Sequence, residues 1–197
     1  MSVELRSWEQ GDDLALLEVL PAPEADPVVA LRALLGPDTD EPAWSRTVVA
    51  VDDDVVIGGG AVQLHPLHPE RVWAFAEVAT ANRGEGTGRL IADRLRQIAA
   101  EAFPDKPLRT KAAPETSGAG FAEHSGMVPV MTHRHVVIAP GALPPQPIGE
   151  GDSATEAIED LATGSVELTK AVGEFYRAVN AWDAPAELSL GKVNQQF

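Results

Sequence analysis

The 197-residue chain has no cysteine and only one tyrosine. Without cysteine it can form no disulfides, thiolate nucleophiles or cysteine-based metal sites. It also lacks an apolar run long enough to span a bilayer, and its first residues do not follow the pattern of a signal peptide. We therefore expect a cytoplasmic protein that does not associate with membranes.

Basic residues are scarce. The chain has 15 lysines and arginines against 30 aspartates and glutamates, for a formal net charge of −15. This balance argues against nucleic acid as a partner, because phosphate binding needs a basic face. Either it favours an amine-bearing or cationic substrate through the overall field, or it serves solubility. The hydrophobic fraction of 44% is sufficient for the core of one substantial domain, with or without an appendage.

A glycine-rich stretch, Arg-Gly-Glu-Gly-Thr-Gly at 83–88, lies between an apolar run and an amphipathic segment. Glycines allow positive φ angles and close approach of the backbone to a ligand. Free amides at a helix N-terminus attract anions, and the guanidinium of Arg83 is suited to phosphate oxygens. The stretch predicts a strand, a turn that binds pyrophosphate, and a helix.

Spacing excludes the two most common glycine motifs. A P-loop needs Lys-Ser or Lys-Thr after its last glycine, whereas Gly88 is followed by Arg89 and Leu90. In a dinucleotide fingerprint starting at Gly84, the third glycine would stand at position 89. Such a fingerprint would also follow the first strand, and this turn comes much later in the chain.

The spacing of Arg83, Gly86 and Gly88 fits the pattern Arg/Gln-x-x-Gly-x-Gly/Ala. This pattern resembles motif A of the GNAT superfamily of acyl-CoA N-acyltransferases, whose members often read Val-x-Pro-x-x-Arg-Gly-x-Gly. Residues 78–86 read Val-Ala-Thr-Ala-Asn-Arg-Gly-Glu-Gly, without the proline. A second stretch, Phe-Ala-Glu-His-Ser-Gly-Met at 121–127, is similar to the family's Leu-Tyr-Glu-Lys-x-Gly-Phe type of sequence. The resemblance spans residues 3 to about 139.

The resemblance implies an α+β (mixed α/β) fold, in which helices flank a twisted, mostly antiparallel mixed sheet. Hydrophobic periodicity predicts the same order of elements. The glycine run at 58–60 indicates a bulge or a close backbone approach within its strand. The predicted strands are 3–8, 46–51, 55–64, 72–80, 108–113 and 131–139, and the predicted helices are 14–20, 28–35, 88–102 and 117–125.

Composition changes after residue 139. We expect a GNAT domain at 1–139, a Pro/Gly-rich linker at 140–153 and a helical extension at 154–197, with its helix at about 165–180. The extension could pack on the main domain or join a homodimer. It could also resemble the opening helix of a second GNAT repeat.

The resemblance implies that acetyl-CoA is the cofactor. The strand edge at 78–80 would pair with the pantetheine amides as an added strand does, and the amides of 84–88 would hold the pyrophosphate. The residues assigned to cofactor binding are Val78, Ala79, Thr80, Arg83, Gly84, Glu85, Gly86, Thr87, Gly88 and Arg89.

An amine acceptor must lose a proton before it can attack a thioester. Glu77 is the predicted base, because it lies on the cofactor strand and alternates with the aromatic residues Trp73 and Phe75. Apolar surroundings would make its carboxylate a stronger base. His65 and His68, or the pair at 133 and 135, are the alternative bases. No metal site is predicted, since two histidines without a nearby carboxylate do not form one.

The family often protonates the departing thiolate with a tyrosine on the helix that matches 117–125, and Ala122 takes that position here. The single tyrosine, Tyr176, lies in the extension. The predicted function is transfer of an acetyl or other acyl group to a primary amine of a small molecule or of a cationic peptide side chain. The alternatives are a weak or inactive acyl-CoA-binding or assembly module, and a nucleotide-binding domain with affinity for ATP or NAD.

Overall fold

The computed structural model describes residues 3–22, 26–133, 139, 141, 166–186, 189 and 191. They fall into two compact units. The first comprises Met1–Val128 together with Asp183–Glu187, and the second comprises Pro129–Trp182 with Leu188–Phe197. The predicted linker at 140–153 lies, apart from residue 141, outside the described residues.

The first unit is built on a five-stranded sheet in the order β1-β2-β3-β4-β5. The first four strands are antiparallel, and β5 runs parallel to β4. This is the mixed, mostly antiparallel sheet flanked by helices that the resemblance implied. Its elements are β1 (Glu4–Ser7), α1 (Asp12–Val19), α2 (Asp26–Arg32), β2 (Trp44–Asp52), β3 (Val55–Leu64), β4 (Val72–Val78), α3 (Thr87–Ala102), β5 (Leu108–Arg109) and α4 (Ser117–His124).

The glycines of β3 allow helix α3 to pack closely on the sheet. A Cβ atom added to Gly60 would lie 2.5 Å from Cγ2 of Ile91 and 2.7 Å from the carbonyl oxygen of Phe75. Ile91 and Leu95, both buried on α3, fill the space above the strand. The register between β2 and β3 also shifts at Ala50, as a bulge requires. The close backbone approach predicted for the glycine run is confirmed, and the bulge, which was the alternative, lies next to the run at Ile57.

Helix α1 covers the opposite face of the sheet. Its Leu16 packs with Val49 and Val56 in a second core cluster, and its methyl groups would lie 3.5 Å from a Cβ at Gly59. Side chains alternate across a strand, so adjacent glycines of β3 serve opposite faces. Strand β4, which pairs with β3, therefore also presents its residues alternately to the α3 face and the α1 face.

Two predicted strands differ from the structure. Strand β5 has two residues where six were expected, because the chain leaves β4 after Arg109. Residues 131–133 form no strand, and positions 134–138 of the predicted last strand lie outside the described residues.

The second unit contains helix α5 (Val166–Val179), which confirms the helix expected at about 165–180. Within this unit the indole nitrogen of Trp182 donates a hydrogen bond to the sulfur of Met131 at 2.8 Å. In the part of the chain that the structure describes, no helix combines the length and apolarity needed to cross a membrane.

We expect Gly60→Ala to destabilise the first unit by about 1–3 kcal/mol, because the added methyl group overpacks the contact between β3 and α3. Gly120→Ala is the matched control. Gly120 lies in α4, and no atom comes within 4 Å of its added Cβ. There, alanine should raise stability by about 0.5–1 kcal/mol through helix propensity. Urea unfolding of both variants measures the difference, and equal effects would contradict the packing argument.

Candidate functional site

The glycine turn that follows β4 has the backbone conformation that its sequence requires. Gly84 and Gly86 have φ angles of +83° and +92°, and no heavy atom lies within 4 Å of a Cβ built on either. Gly86 is the N-cap of α3. Nε of Arg83 donates a hydrogen bond to the carbonyl oxygen of Val78 at 3.1 Å, which ties the turn to the end of β4.

The turn offers unpaired donors at the start of α3. Among the described residues, none of the backbone amides from Gly84 to Arg89 donates a backbone hydrogen bond; the first to do so is Leu90, which bonds to Gly86 at 3.0 Å. The hydroxyl oxygen of Thr87 is buried and has no hydrogen-bond partner within the described part of the chain. Amides and a hydroxyl at a helix N-terminus suit the oxygens of a pyrophosphate.

Beyond Trp73, the edge of β4 that faces β5 has no partner strand among the described residues, and this stretch of edge, residues 74–78, is called the slot below. Strand β5 pairs only with Val72 and Trp73, so the remainder of this edge of β4 is released from β5. The amide of Ala79 points the other way and donates to Ile57 of β3 at 2.8 Å. Because successive amides of a strand point in opposite directions, the amide of Val78 faces the slot. The chain thus brings residues 78–80 and 83–89 together at one end of β4.

Glu77 lies on the α1 face of β4 with Trp73 and Phe75, as its alternation predicted. Its surroundings are not purely apolar, because Arg32 of α2 forms a bidentate ion pair with it. Nε of Arg32 donates to Oε2 at 2.9 Å, and a terminal nitrogen donates to Oε1 at 2.6 Å. The two side chains are only 10% and 19% exposed, and Arg32 also donates to the carbonyl oxygen of Pro21. A fixed and mostly buried carboxylate therefore lies on the α1 face of β4.

The histidines differ in their surroundings. His68 is buried in the loop between β3 and β4, and burial, with Arg109 and Lys111 nearby, lowers its pKa to about 4. Burial also lowers the pKa of neighbouring His65, with smaller effects from His68 and Arg109. His133 is exposed. Position 135 lies outside the described residues.

A buried charge cluster, which the sequence analysis did not predict, lies beside His68. Asp183 is fully buried and ion-pairs with Arg109 and, at 3.8 Å, with Arg71, and one of its carboxylate oxygens lies 3.2 Å from Nδ1 of His68. The carbonyl oxygen of Asp183 is a further 3.1 Å from the same Nδ1. Two acceptors at one ring nitrogen place its proton on Nδ1. Since Asp183 lies 115 residues from His68, no local pattern could have linked them.

The position at which the resemblance implies a tyrosine is occupied by an alanine. Ala122 is half-buried on α4 and carries no hydroxyl. Tyr176 belongs to α5 in the second unit. In the described part of the chain, no group of histidine, aspartate and glutamate side chains could hold a metal ion.

We expect the free energy of unfolding to fall as the pH decreases from about 6.5 to about 4. The pKa of His68 drops from 6.5 to about 4 on folding, so within this window the unfolded chain binds more protons than the folded chain. The lowered pKa of His68 should reduce the free energy of unfolding by about 3 kcal/mol over this window, and the lowered pKa of His65 reduces it further.

The substitution His68→Asn removes the imidazole that takes up a proton in this pH range, but it keeps a side-chain N–H that can donate to Asp183. Urea unfolding at several pH values should therefore show a shallower slope for this variant than for the wild-type chain. Identical slopes would show that His68 does not carry the effect.

No protein-family model matches the chain, and no curated protein matches it in sequence. Among solved structures, a transcriptional regulator from Bacillus halodurans C-125 aligns with a TM-score of 0.54 and 18% identity, over 70% of this chain and 100% of that one. A candidate acetyl transferase from Pyrococcus furiosus aligns with a TM-score of 0.51 and 13% identity, over the same shares.

An acetyltransferase from Trypanosoma brucei aligns with a TM-score of 0.48 and 17% identity, again over 70% of this chain and 100% of that one. The regulator from Bacillus halodurans and the protein from Pyrococcus furiosus have TM-scores above 0.5. Because their sequence identities are below 20%, this likeness shows a shared fold and nothing more. The five-stranded mixed sheet with flanking helices agrees with it. The chain has the GNAT fold.

Proposed function

We propose that the chain is an acyl-CoA-dependent N-acyltransferase that uses acetyl-CoA to modify a primary amine of a small molecule or peptide. One observation carries the proposal: unpaired amides and the buried hydroxyl of Thr87 lie at the N-terminus of α3, immediately after a strand whose edge is released from β5. A pyrophosphate and an extended amide-bearing arm have matching chemistry.

The residues that would hold the cofactor act mainly through their backbone. The amides of 84–89 would donate to the pyrophosphate, and the amide of Val78 would pair with the pantetheine arm. A cavity of about 250 Å³ beside the first turns of α3, lined in part by Arg89, Arg96 and Phe121, leaves room for the rest of the molecule. When bound, acetyl-CoA would supply the thioester that the amine attacks.

Glu77 would accept the proton of the acceptor amine, directly or through water. Its ion pair with Arg32 fixes the carboxylate against the α1 face of β4. Because Arg32 holds both oxygens, the carboxylate would accept the proton at a lone pair outside this contact, and its position depends on a second side chain from α2. Arg32 is therefore proposed as a positioning residue for Glu77.

The alternative function is an acyl-CoA-binding or assembly module with weak or no transferase activity. The observation that favours it is Ala122, which has no proton to donate to a departing thiolate. Coenzyme A thiolate is a tolerable leaving group, so transfer remains chemically feasible. Incubation with acetyl-CoA and a panel of amines, followed by assay of free thiol, separates the two functions: binding without thiol release supports the module.

The division of the chain into a domain, a linker and an extension is also a proposal. We infer a GNAT domain at 1–139, a linker at 140–153 and an extension at 154–197 that could support a homodimer. The acidic charge and the cofactor chemistry support a cytoplasmic enzyme that acts on free amines rather than on nucleic acid.

We expect Gly86→Trp and Arg83→Glu each to abolish coenzyme A binding without unfolding the chain. The indole would fill the pyrophosphate position, and the glutamate would add negative charge beside it. Gly11→Trp is the matched control, because Gly11 is also a helix N-cap with a similar φ of +97° and open space around it. Calorimetric titration with coenzyme A measures binding, and unchanged affinity in either test variant would refute the assignment.

Glu77→Gln should lower kcat by about 100-fold or more while coenzyme A affinity stays the same, because the amide cannot accept the proton. Glu70→Gln, at an exposed position in the loop before β4, is the control and should retain full activity. Steady-state thiol release over a range of pH provides the measurement. A variant as active as wild type would exclude Glu77 as the base.

A further inference from the structure

Three cationic side chains gather at the closed end of the slot. The guanidinium of Arg109 lies 3.8 Å from the ring centroid of Trp73, and the ammonium of Lys111 lies 5.5 Å from the same centroid. Arg71 joins them through Asp183, which ion-pairs with both arginines. Arg71, Arg109 and Lys111 are called the basic cluster below.

The basic cluster keeps a positive field although Asp183 is part of it. The carboxylate of Asp183 ion-pairs with two guanidinium groups, those of Arg71 and Arg109, and the ammonium of Lys111 lies over the ring of Trp73. The neighbouring histidines respond to this field, since Arg109 and Lys111 add to the effect of burial in lowering the pKa of His68. In a chain with a net charge of −15, such a concentration of positive charge is a local arrangement and not a reflection of composition.

The position of the basic cluster relates it to the proposed reaction. Trp73 and Arg109 form the last pair between β4 and β5, and the slot opens beyond them. Trp73 shares the α1 face of β4 with Phe75 and Glu77. At a rise of about 3.3 Å per residue, Glu77 lies about 13 Å further along the strand. The proposed proton acceptor and the basic cluster thus lie at two ends of one face.

We propose that the basic cluster binds an anionic group of the acceptor, so that the substrate is an amine that also carries a carboxylate. Lys111 is exposed and can reach a ligand, whereas Arg109 is buried and held between Trp73 and Asp183. Lys111 contacts the carboxylate, Arg109 supplies the fixed positive field, and the amine extends toward Glu77. This inference rests on the proposed acyltransfer function, and it narrows the acceptor from amines in general to amino acids and related amino carboxylates.

The test uses product analogues and does not require the natural acceptor. A series of acetamido carboxylates with two to six carbons in the acid chain is titrated into the full chain by NMR, observing the histidine rings. The matching carboxamides, which have the same shape without the charge, are the controls. We expect saturable binding of at least one acid, with its carboxamide about tenfold weaker, as for the loss of one charge-assisted contact.

Lys111→Gln should weaken the acid by about tenfold and leave the carboxamide unchanged. The control Lys106→Gln, at a position before β5, should leave the affinities for both the acid and the carboxamide unchanged. Thermal midpoints equal to that of the wild-type chain would show that both variants fold. Equal affinities of acid and carboxamide, no saturable binding of any acid, or a Lys111→Gln variant that binds like wild type would each overturn the inference.

A separate titration with coenzyme A distinguishes failure of this inference from failure of the proposed function. If coenzyme A binds and thiol is released with amines while acids and carboxamides bind alike, only the carboxylate specificity fails. If an acid binds through Lys111 and coenzyme A does not bind, the anion site stands and the acyltransferase function fails.

Discussion

The contact between Gly60 and α3 is the constraint on which the remaining geometry depends. Without a side chain at this position, Ile91 and Leu95 reach the backbone of β3, and α3 lies directly on the sheet. A helix held at this distance brings its first turn to the end of β4, where Thr87 and the preceding amides are left unpaired. The phosphate-binding character of the turn is therefore a consequence of core packing as much as of the glycines in the turn itself.

Two ion pairs, one partly buried and one buried, organise the α1 face of β4. Arg32 fixes Glu77, and Asp183 fixes Arg109 against Trp73. Burying a charge pair costs desolvation energy that its attraction often only offsets, so neither pair is easily explained by stability alone. Both lie along one strand, at the face next to the proposed cofactor slot. This arrangement favours a chemical role, in which each pair holds a charged group in one position.

The sequence allowed the local part of this structure to be predicted, but not the long-range part. The hairpin and the helices beginning at Thr87 and Ser117 follow from hydrophobic periods and from turn residues within a few positions. The ion pair of Arg32 with Glu77 spans 45 residues, and that of His68 with Asp183 spans 115. No period connects such positions, so the charged surroundings of Glu77 and the basic cluster were missed. Strand β5 ends at Arg109, four residues earlier than predicted, and its local sequence does not indicate where its pairing with β4 stops.

The overall negative charge of the chain and the positive field of the basic cluster act over different distances. This difference affects how an acceptor would be oriented. At physiological ionic strength charges are screened over about 8 Å, so the overall negative charge mainly affects the approach of a cationic group. Within the slot, the fixed cations near Trp73 act over a few ångströms. A zwitterionic acceptor would experience both fields: its ammonium is attracted to the acidic surface, while its carboxylate is held by the basic cluster. Its orientation is then set locally, with the amine directed toward Glu77, and the acidic composition need not imply a purely cationic substrate.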